Sequence, residues 1–171
     1  MEPARLAGHL DGLDNFYGGT RMIELNHERY MRQAIALAAH IPERPFSTVI
    51  VDRVTVKIIA EGRNQSDKNP TWHGEIDAIN RLAADVTDID CSKCALYTTA
   101  EPCPMCQSAI LWAGIGSVVF GTSIRFLIDI GWRQIDIPAE EVVRRSPGWQ
   151  CLVVGGILES ECNELFLKAS R

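Results

Sequence analysis

Apolar residues recur three and four positions apart in several stretches of the chain, which is the spacing of one face of an α-helix. The pattern predicts helices at 26–40, 73–84, 103–113, 139–145 and 160–168. Asn26 has the side chain of a helix N-cap, and Pro42 prevents the first helix from continuing. In the second helix the residues expected on the buried side are Ile76, Ile79, Leu82 and Ala83.

Short runs rich in β-branched and aromatic residues predict strands at 46–51, 54–60, 95–99, 117–120 and 150–154. Only Asp52 and Arg53 separate the first two runs, which predicts an antiparallel hairpin. The stretch 61–71 is polar and turn-rich and is predicted to be a loop, whereas 122–138 has no clean period.

Strands that alternate with helices after an opening hairpin predict an α/β fold, a three-layer α/β/α domain with a mixed sheet. Residues 25–171 are assigned to this single domain. Residues 1–24 are rich in Gly and Asp and are interpreted as an N-terminal arm.

The charge of the chain indicates which class of substrate it binds. The chain carries a formal net charge of −5, and proteins that bind a long polyanion usually show a basic footprint. This disfavours nucleic acid as the substrate and favours a small molecule. No window approaches the roughly 18 consecutive apolar residues of a membrane span. The first residues also lack the apolar run of a signal peptide, so a cytoplasmic protein with reduced cysteines is expected.

Two short motifs contain the candidate chemistry. The first is His73-Gly74-Glu75 and the second is Pro102-Cys103-Pro104-Met105-Cys106. One imidazole and two thiolates are ligands that suit Zn²⁺ and leave a fourth tetrahedral position open, as catalytic zinc requires. We therefore expect one zinc per chain on His73, Cys103 and Cys106. Both motifs fall at predicted helix N-termini, where the helix dipole stabilises thiolates.

Glu75 is the only acid within the two motifs. A carboxylate two residues after a metal-binding His can move protons between water and a substrate, so Glu75 is the candidate catalytic residue. An alternative remains open, in which Glu75 has no catalytic role and its negative charge only interacts favourably with the positive N-terminal end of the helix dipole.

A second Cys-x-x-Cys, formed by Cys91 and Cys94, allows a structural four-cysteine zinc site together with Cys103 and Cys106. The spacing argues against such a four-cysteine site, because the two Cys-x-x-Cys pairs are separated by fewer residues than the usual gap of about 15–20. Such a site would also leave His73 without a role. Cys91 and Cys94 are therefore interpreted as ordinary loop or core thiols, and the two remaining cysteines, Cys151 and Cys162, as packing residues.

Candidate substrate-binding residues are Asn64 and Phe46. The Asn64 amide can donate to and accept from the edge of a base, although turn formation explains it equally well. Phe46, Trp72 and Trp132 could stack on a planar heterocycle, although aromatic residues more often pack.

The two motifs are the signature pair of zinc-dependent nucleobase deaminases. The chain resembles the cytidine deaminase superfamily, in particular the branch of bacterial guanine deaminases and tRNA adenosine deaminases. The resemblance runs from about residue 26 to about residue 120 and includes Pro45-Phe46, Asn64 and Asn69-Pro70-Thr71. It implies a five-stranded sheet between helices, a homodimer, zinc on the His and both Cys residues, proton transfer by Glu75 and contact of Asn64 with the base.

The chain departs from that branch at three places. Gly74 stands where the branch usually has Ala, and Trp72 replaces a small residue. Guanine deaminases of this type resemble one another in an acidic pair after Gly-Phe. The counterpart here is Gly131-Trp132-Arg133-Gln134, with Asp129 and Asp136 displaced from those places.

The expected function is hydrolytic deamination of a guanine-like or adenine-like purine, or of a related base or nucleoside, with release of ammonia. The alternatives are a tRNA-specific adenosine deaminase and a zinc-binding module without turnover.

Overall fold

The structure is a computed structural model that describes residues 24–169, so most of the proposed arm lies outside the described residues. One mixed sheet has the strand order β2-β1-β3-β4-β5. The strands are β1 Ser47–Asp52, β2 Lys57–Arg63, β3 Cys94–Ala100, β4 Ser117–Thr122 and β5 Leu152–Val154. Strand β1 is antiparallel to β2 and β3, whereas β3, β4 and β5 are parallel. The predicted five-stranded mixed sheet is confirmed.

Six α-helices within the described residues cover the sheet: α1 His27–Ala38, α2 Gly74–Asp85, α3 Pro104–Trp112, α4 Ile124–Asp129, α5 Ala139–Arg144 and α6 Glu159–Lys168. Alternate residues of the central strands pack on opposite faces, because the side-chain period of a strand is two. Ile50 and Leu96 meet α2 and α3 on one face, while Val49 and Tyr97 meet α1 and α6 on the other. The three-layer prediction is therefore confirmed. Among the described residues, no helix is long and apolar enough to cross a membrane.

The predicted hairpin link was too short. Four residues, 53–56, separate β1 from β2, and Val54 belongs to this turn instead of the second strand. The Asp52 carboxylate accepts hydrogen bonds from the Val54 N–H and the Thr55 hydroxyl. These bonds close the turn locally, which alternation of apolar residues does not reveal.

The predicted buried face of α2 was partly wrong. Leu82 is buried as expected, but Ala83 is exposed and the two isoleucines are only half-buried. Glu75 and Asp77 are buried instead, at 4% and 2% exposure. The first turn of α2 faces polar groups of the site and of a neighbouring loop, so its inner side is not marked by apolar residues.

Helix α4 was not predicted, because residues 122–138 show no clean period. Its Ser123 side chain accepts a hydrogen bond from the Phe126 N–H, and Ile124 and Leu127 are buried. A helix of six residues shows too few turns for periodicity to be read from sequence.

Candidate active site

The ends of two helices bring the three candidate metal ligands together. His73 is the N-cap of α2, Cys103 is the N-cap of α3, and Cys106 lies in the first turn of α3. The His73 Nδ1 lies 3.6 Å from the Cys103 Sγ and 3.5 Å from the Cys106 Sγ. Ordinary Zn–N and Zn–S bonds in a tetrahedron place the two ligand atoms about 3.6 Å apart. The donor set and its spacing therefore fit one zinc ion.

The electrostatics of this cluster favour a thiolate. A hydrogen bond from the Cys106 thiol is the main cause that lowers the pKa of Cys103 to about 4, and the His73 side chain adds to it. The same bond, followed by burial, raises the pKa of Cys106 well above its usual value. The hydrogen bond with Cys103 also raises the pKa of His73, although burial opposes it. Cys106 and His73 thus keep protons beside the Cys103 thiolate, and a metal ion that binds to the three side chains would displace these protons.

Glu75 lies in the wall of the same site. The Thr98 hydroxyl donates to its Oε1 at 3.2 Å. Burial is the main cause that raises the pKa of the Glu75 carboxyl, and the negative charge of Cys103 raises it further. A raised pKa makes a carboxyl group a better proton acceptor, as a general base beside a metal site requires.

The rival four-cysteine site is not assembled. Within residues 24–169, the one group of His, Cys, Asp and Glu side chains close enough to hold a metal is His73, Cys103 and Cys106. Burial raises the pKa of Cys94 to about 12, which keeps it a neutral thiol. Cys151 and Cys162 are buried thiols, as predicted.

A cavity of about 520 Å³ opens onto the cluster and contains Phe46, Asn64, His73, Glu75, Cys103 and Trp132 in its lining. Phe46 contacts Trp132 edge to face, with ring centroids 5.4 Å apart. The Asn64 Oδ1 accepts hydrogen bonds from the N–H and the hydroxyl of Ser66. Its amide nitrogen is therefore the group that remains for a ligand.

Trp72, a candidate for stacking on the heterocycle, lies outside the lining of the cavity although it directly precedes His73. Its indole N–H donates to the Asp77 Oδ1 at 3.1 Å. Asp77 also accepts from the Arg63 N–H, the Gln65 amide and the Arg81 guanidinium. This buried carboxylate joins both ends of the loop between β2 and α2.

Sequence reasoning missed Glu101 and the two arginines of the cavity, Arg44 and Arg133. The Glu101 Oε2 accepts from the Ile124 N–H at 2.8 Å, and its Oε1 accepts from the Ala139 N–H at 2.9 Å. Its place directly before the Pro-Cys motif was the available signal. The sequence did not indicate that Arg44 and Arg133 line the cavity, because isolated arginines are common on protein surfaces.

Comparison with known proteins adds independent information. The family model for the cytidine and deoxycytidylate deaminase zinc-binding region matches residues 25–122. The chain is 35% identical to guanine deaminase of Bacillus subtilis over 129 residues, which cover 68% of this chain and 81% of that protein. It is 40% identical to a tRNA-specific adenosine deaminase of Haemophilus influenzae over 101 residues, which cover 56% of this chain and 58% of the relative.

Among solved structures, a variant of NE0047 in complex with 8-azaguanine matches with a TM-score of 0.74 and 24% identity, over 92% of this chain and 97% of that one. This likeness supports the fold.

Proposed function

The chain belongs to the cytidine and deoxycytidylate deaminase zinc-binding family, and from that premise we propose that it is a hydrolase that deaminates a purine. The observation that carries the proposal is the position of Glu75. This buried carboxylate lies beside a three-ligand metal cluster at a cavity large enough for a base. The net reaction replaces the exocyclic C–NH₂ by C=O, consumes one water and releases ammonia.

In this proposal His73, Cys103 and Cys106 hold the zinc. When bound, zinc lowers the pKa of a coordinated water and so supplies the nucleophile at neutral pH. Glu75 takes a proton from the attacking water and delivers protons to the ring nitrogen and to the departing amine. The hydrogen bond from Thr98 holds the Glu75 Oε1 in place, so the carboxyl group is already oriented when the substrate enters.

Asn64, Phe46 and Trp132 are proposed to bind the base. Because the Asn64 oxygen is occupied by Ser66, its amide donates to an acceptor on the base edge. Phe46 and Trp132 supply an aromatic wall. The relative from Bacillus subtilis acts on guanine by its name, which favours a guanine-like or adenine-like ring.

Deamination of adenosine in tRNA is the second candidate, supported by the similarity to tRNA-specific adenosine deaminases. The net charge of −5 opposes it, because binding to RNA depends strongly on cationic contacts to phosphates. A zinc module without turnover is a third candidate. It is opposed by the three-ligand cluster and the buried Glu75, since structural zinc sites fill all four positions with protein ligands.

All six cysteines are free thiols, which supports the cytoplasm as the compartment. A homodimer is proposed from the family resemblance. Exposed apolar side chains, among them Trp112 at 78% and Leu152 at 52%, provide surface that a second copy could cover.

The test is ammonia release by the purified zinc-loaded protein from guanine, adenine, their nucleosides and an anticodon stem-loop. Glu75→Gln is the matched control, and we expect it to keep zinc while losing about 10²- to 10⁴-fold in kcat, the usual contribution of a general acid–base group. Substantial activity in Glu75→Gln would refute the mechanism. Turnover of the stem-loop alone would assign the protein to tRNA editing.

A further inference from the structure

Two guanidinium groups line the cavity without a carboxylate partner. Arg44 and Arg133 are both exposed and both belong to the lining that contains His73 and Glu75. Within residues 24–169, the ion pairs formed by arginines involve other residues, such as Arg125 with Asp129 and Arg144 with Glu141. Arg44 donates to the Ser66 hydroxyl, which in turn donates to Asn64. One cation is thus connected to the residue proposed to contact the base.

Neither of the two carboxylates in the cavity lining, Glu75 and Glu101, forms an ion pair with these arginines. Glu75 is buried beside the metal ligands, and both oxygens of Glu101 accept backbone N–H groups from Ile124 and Ala139. Both guanidinium groups therefore remain available to an anionic ligand in the cavity. Guanidinium groups at an open cavity attract anions and pair with phosphate through a planar set of donors.

The cavity volume of about 520 Å³ provides room for more than a purine ring, since pockets of about 300–1,000 Å³ enclose molecules of drug size. In the binding mode proposed above, the base lies against the aromatic wall beside Glu75. A substituent on the base then points to the exposed end, where the arginines lie. We propose that the substrate carries an anionic group there and belongs to the class of purine nucleoside monophosphates. This inference rests on the proposed deamination and specifies its substrate.

The experiment compares the free base, the nucleoside and the nucleoside 5′-monophosphate of each purine. We expect kcat/KM for the monophosphate to exceed that for the nucleoside at least tenfold. Arg133→Gln and Arg44→Gln should each lower kcat/KM for the monophosphate about tenfold. The control Arg125→Gln removes an exposed arginine outside the cavity lining and should leave it unchanged. Equal kcat/KM for nucleoside and monophosphate, or turnover of an RNA stem-loop alone, would overturn the inference.

A binding measurement separates this inference from the proposed function. Isothermal titration of the zinc-loaded Glu75→Gln protein with guanosine and adenosine monophosphates and with the two nucleosides needs no turnover. Binding of a monophosphate at least tenfold tighter than its nucleoside, lost in Glu75→Gln/Arg133→Gln, supports the substrate class even if no deamination is seen. Equal affinities overturn it even if the protein deaminates a free base.

Discussion

Replacing Asp77 by Asn tests how the loop between β2 and α2 is held. The Asp77 Oδ2 accepts from the Arg63 N–H at 3.0 Å and from the Arg81 guanidinium at 3.2 Å. Its Oδ1 accepts from the Gln65 amide at 2.9 Å and from the Trp72 indole at 3.1 Å. Asparagine has the same shape but only one oxygen. One side of the group therefore presents an NH₂ to donors, and two of the four contacts are lost.

Each donor left without its acceptor costs about 1–3 kcal/mol when buried. Because the Arg81 side chain is 54% exposed, water replaces part of that contact, and we expect a total loss of about 2–4 kcal/mol. For a domain of this size, 1 kcal/mol corresponds to roughly 2–4 °C in Tm, so Asp77→Asn should melt about 4–16 °C lower. The residues on either side of Asn64 lose their anchor, so kcat/KM should fall as well.

The assay is thermal unfolding of the zinc-loaded protein, followed by steady-state kinetics well below the transition. Asp85→Asn makes the same chemical change at an exposed position at the end of α2 and should stay within about 0.5 kcal/mol of the parent. If the two variants melt together and have equal kcat/KM, Asp77 does not anchor the loop and the reasoning is refuted.

Three other predictions concern metal, packing and charge. Cys103→Ala should lose the one zinc per chain measured by atomic absorption, whereas Cys91→Ala should keep it; the reverse result would favour the four-cysteine site. Gly62→Ala should lower stability by about 3 kcal/mol or more in a denaturant titration, the upper end for overpacking, because its added Cβ would meet the Gly74 oxygen at 2.1 Å. Gly148→Ala meets no atom within 4 Å and loses only its left-handed backbone preference, about 1–2 kcal/mol, so equal losses would contradict the packing argument. Bulk tRNA should bind weakly at physiological salt in a filter-binding assay, given the net charge of −5; tight, salt-sensitive binding would contradict the small-molecule assignment.

Sequence was sufficient wherever the chemistry is local. The spacing of Cys103 and Cys106 puts both thiols at one helix end, and Pro104 marks the start of that helix. The helix after His73 could be predicted from the spacing of its apolar residues. The strand order was not predicted, because hydrophobic patterns do not show which strands pair. The burial of Asp77 could not be predicted from the sequence. Its four hydrogen-bond donors come from strand β2, the following loop and helix α2, and hydrophobic periodicity does not show where a buried carboxylate finds donors.

The segment between Ile124 and Ala139 was the least predictable part for the same reason. Its conformation depends on Glu101, which lies more than twenty residues earlier in the chain. A helix of only six residues is too short to show a period, and a contact over that distance leaves no local pattern.

The double attachment of this segment to Glu101 has a consequence for how such a protein can diversify. Both attachment points use backbone N–H groups, which every residue except proline possesses. Two side chains between them that line the cavity, Arg133 and Gln134, can therefore be exchanged without detaching the segment from the rest of the site. Mutations in this segment can change the part of the cavity lining that contacts the substrate while the metal ligands and Glu75 keep their positions. New substrate specificities are therefore accessible by changing a few residues in one stretch.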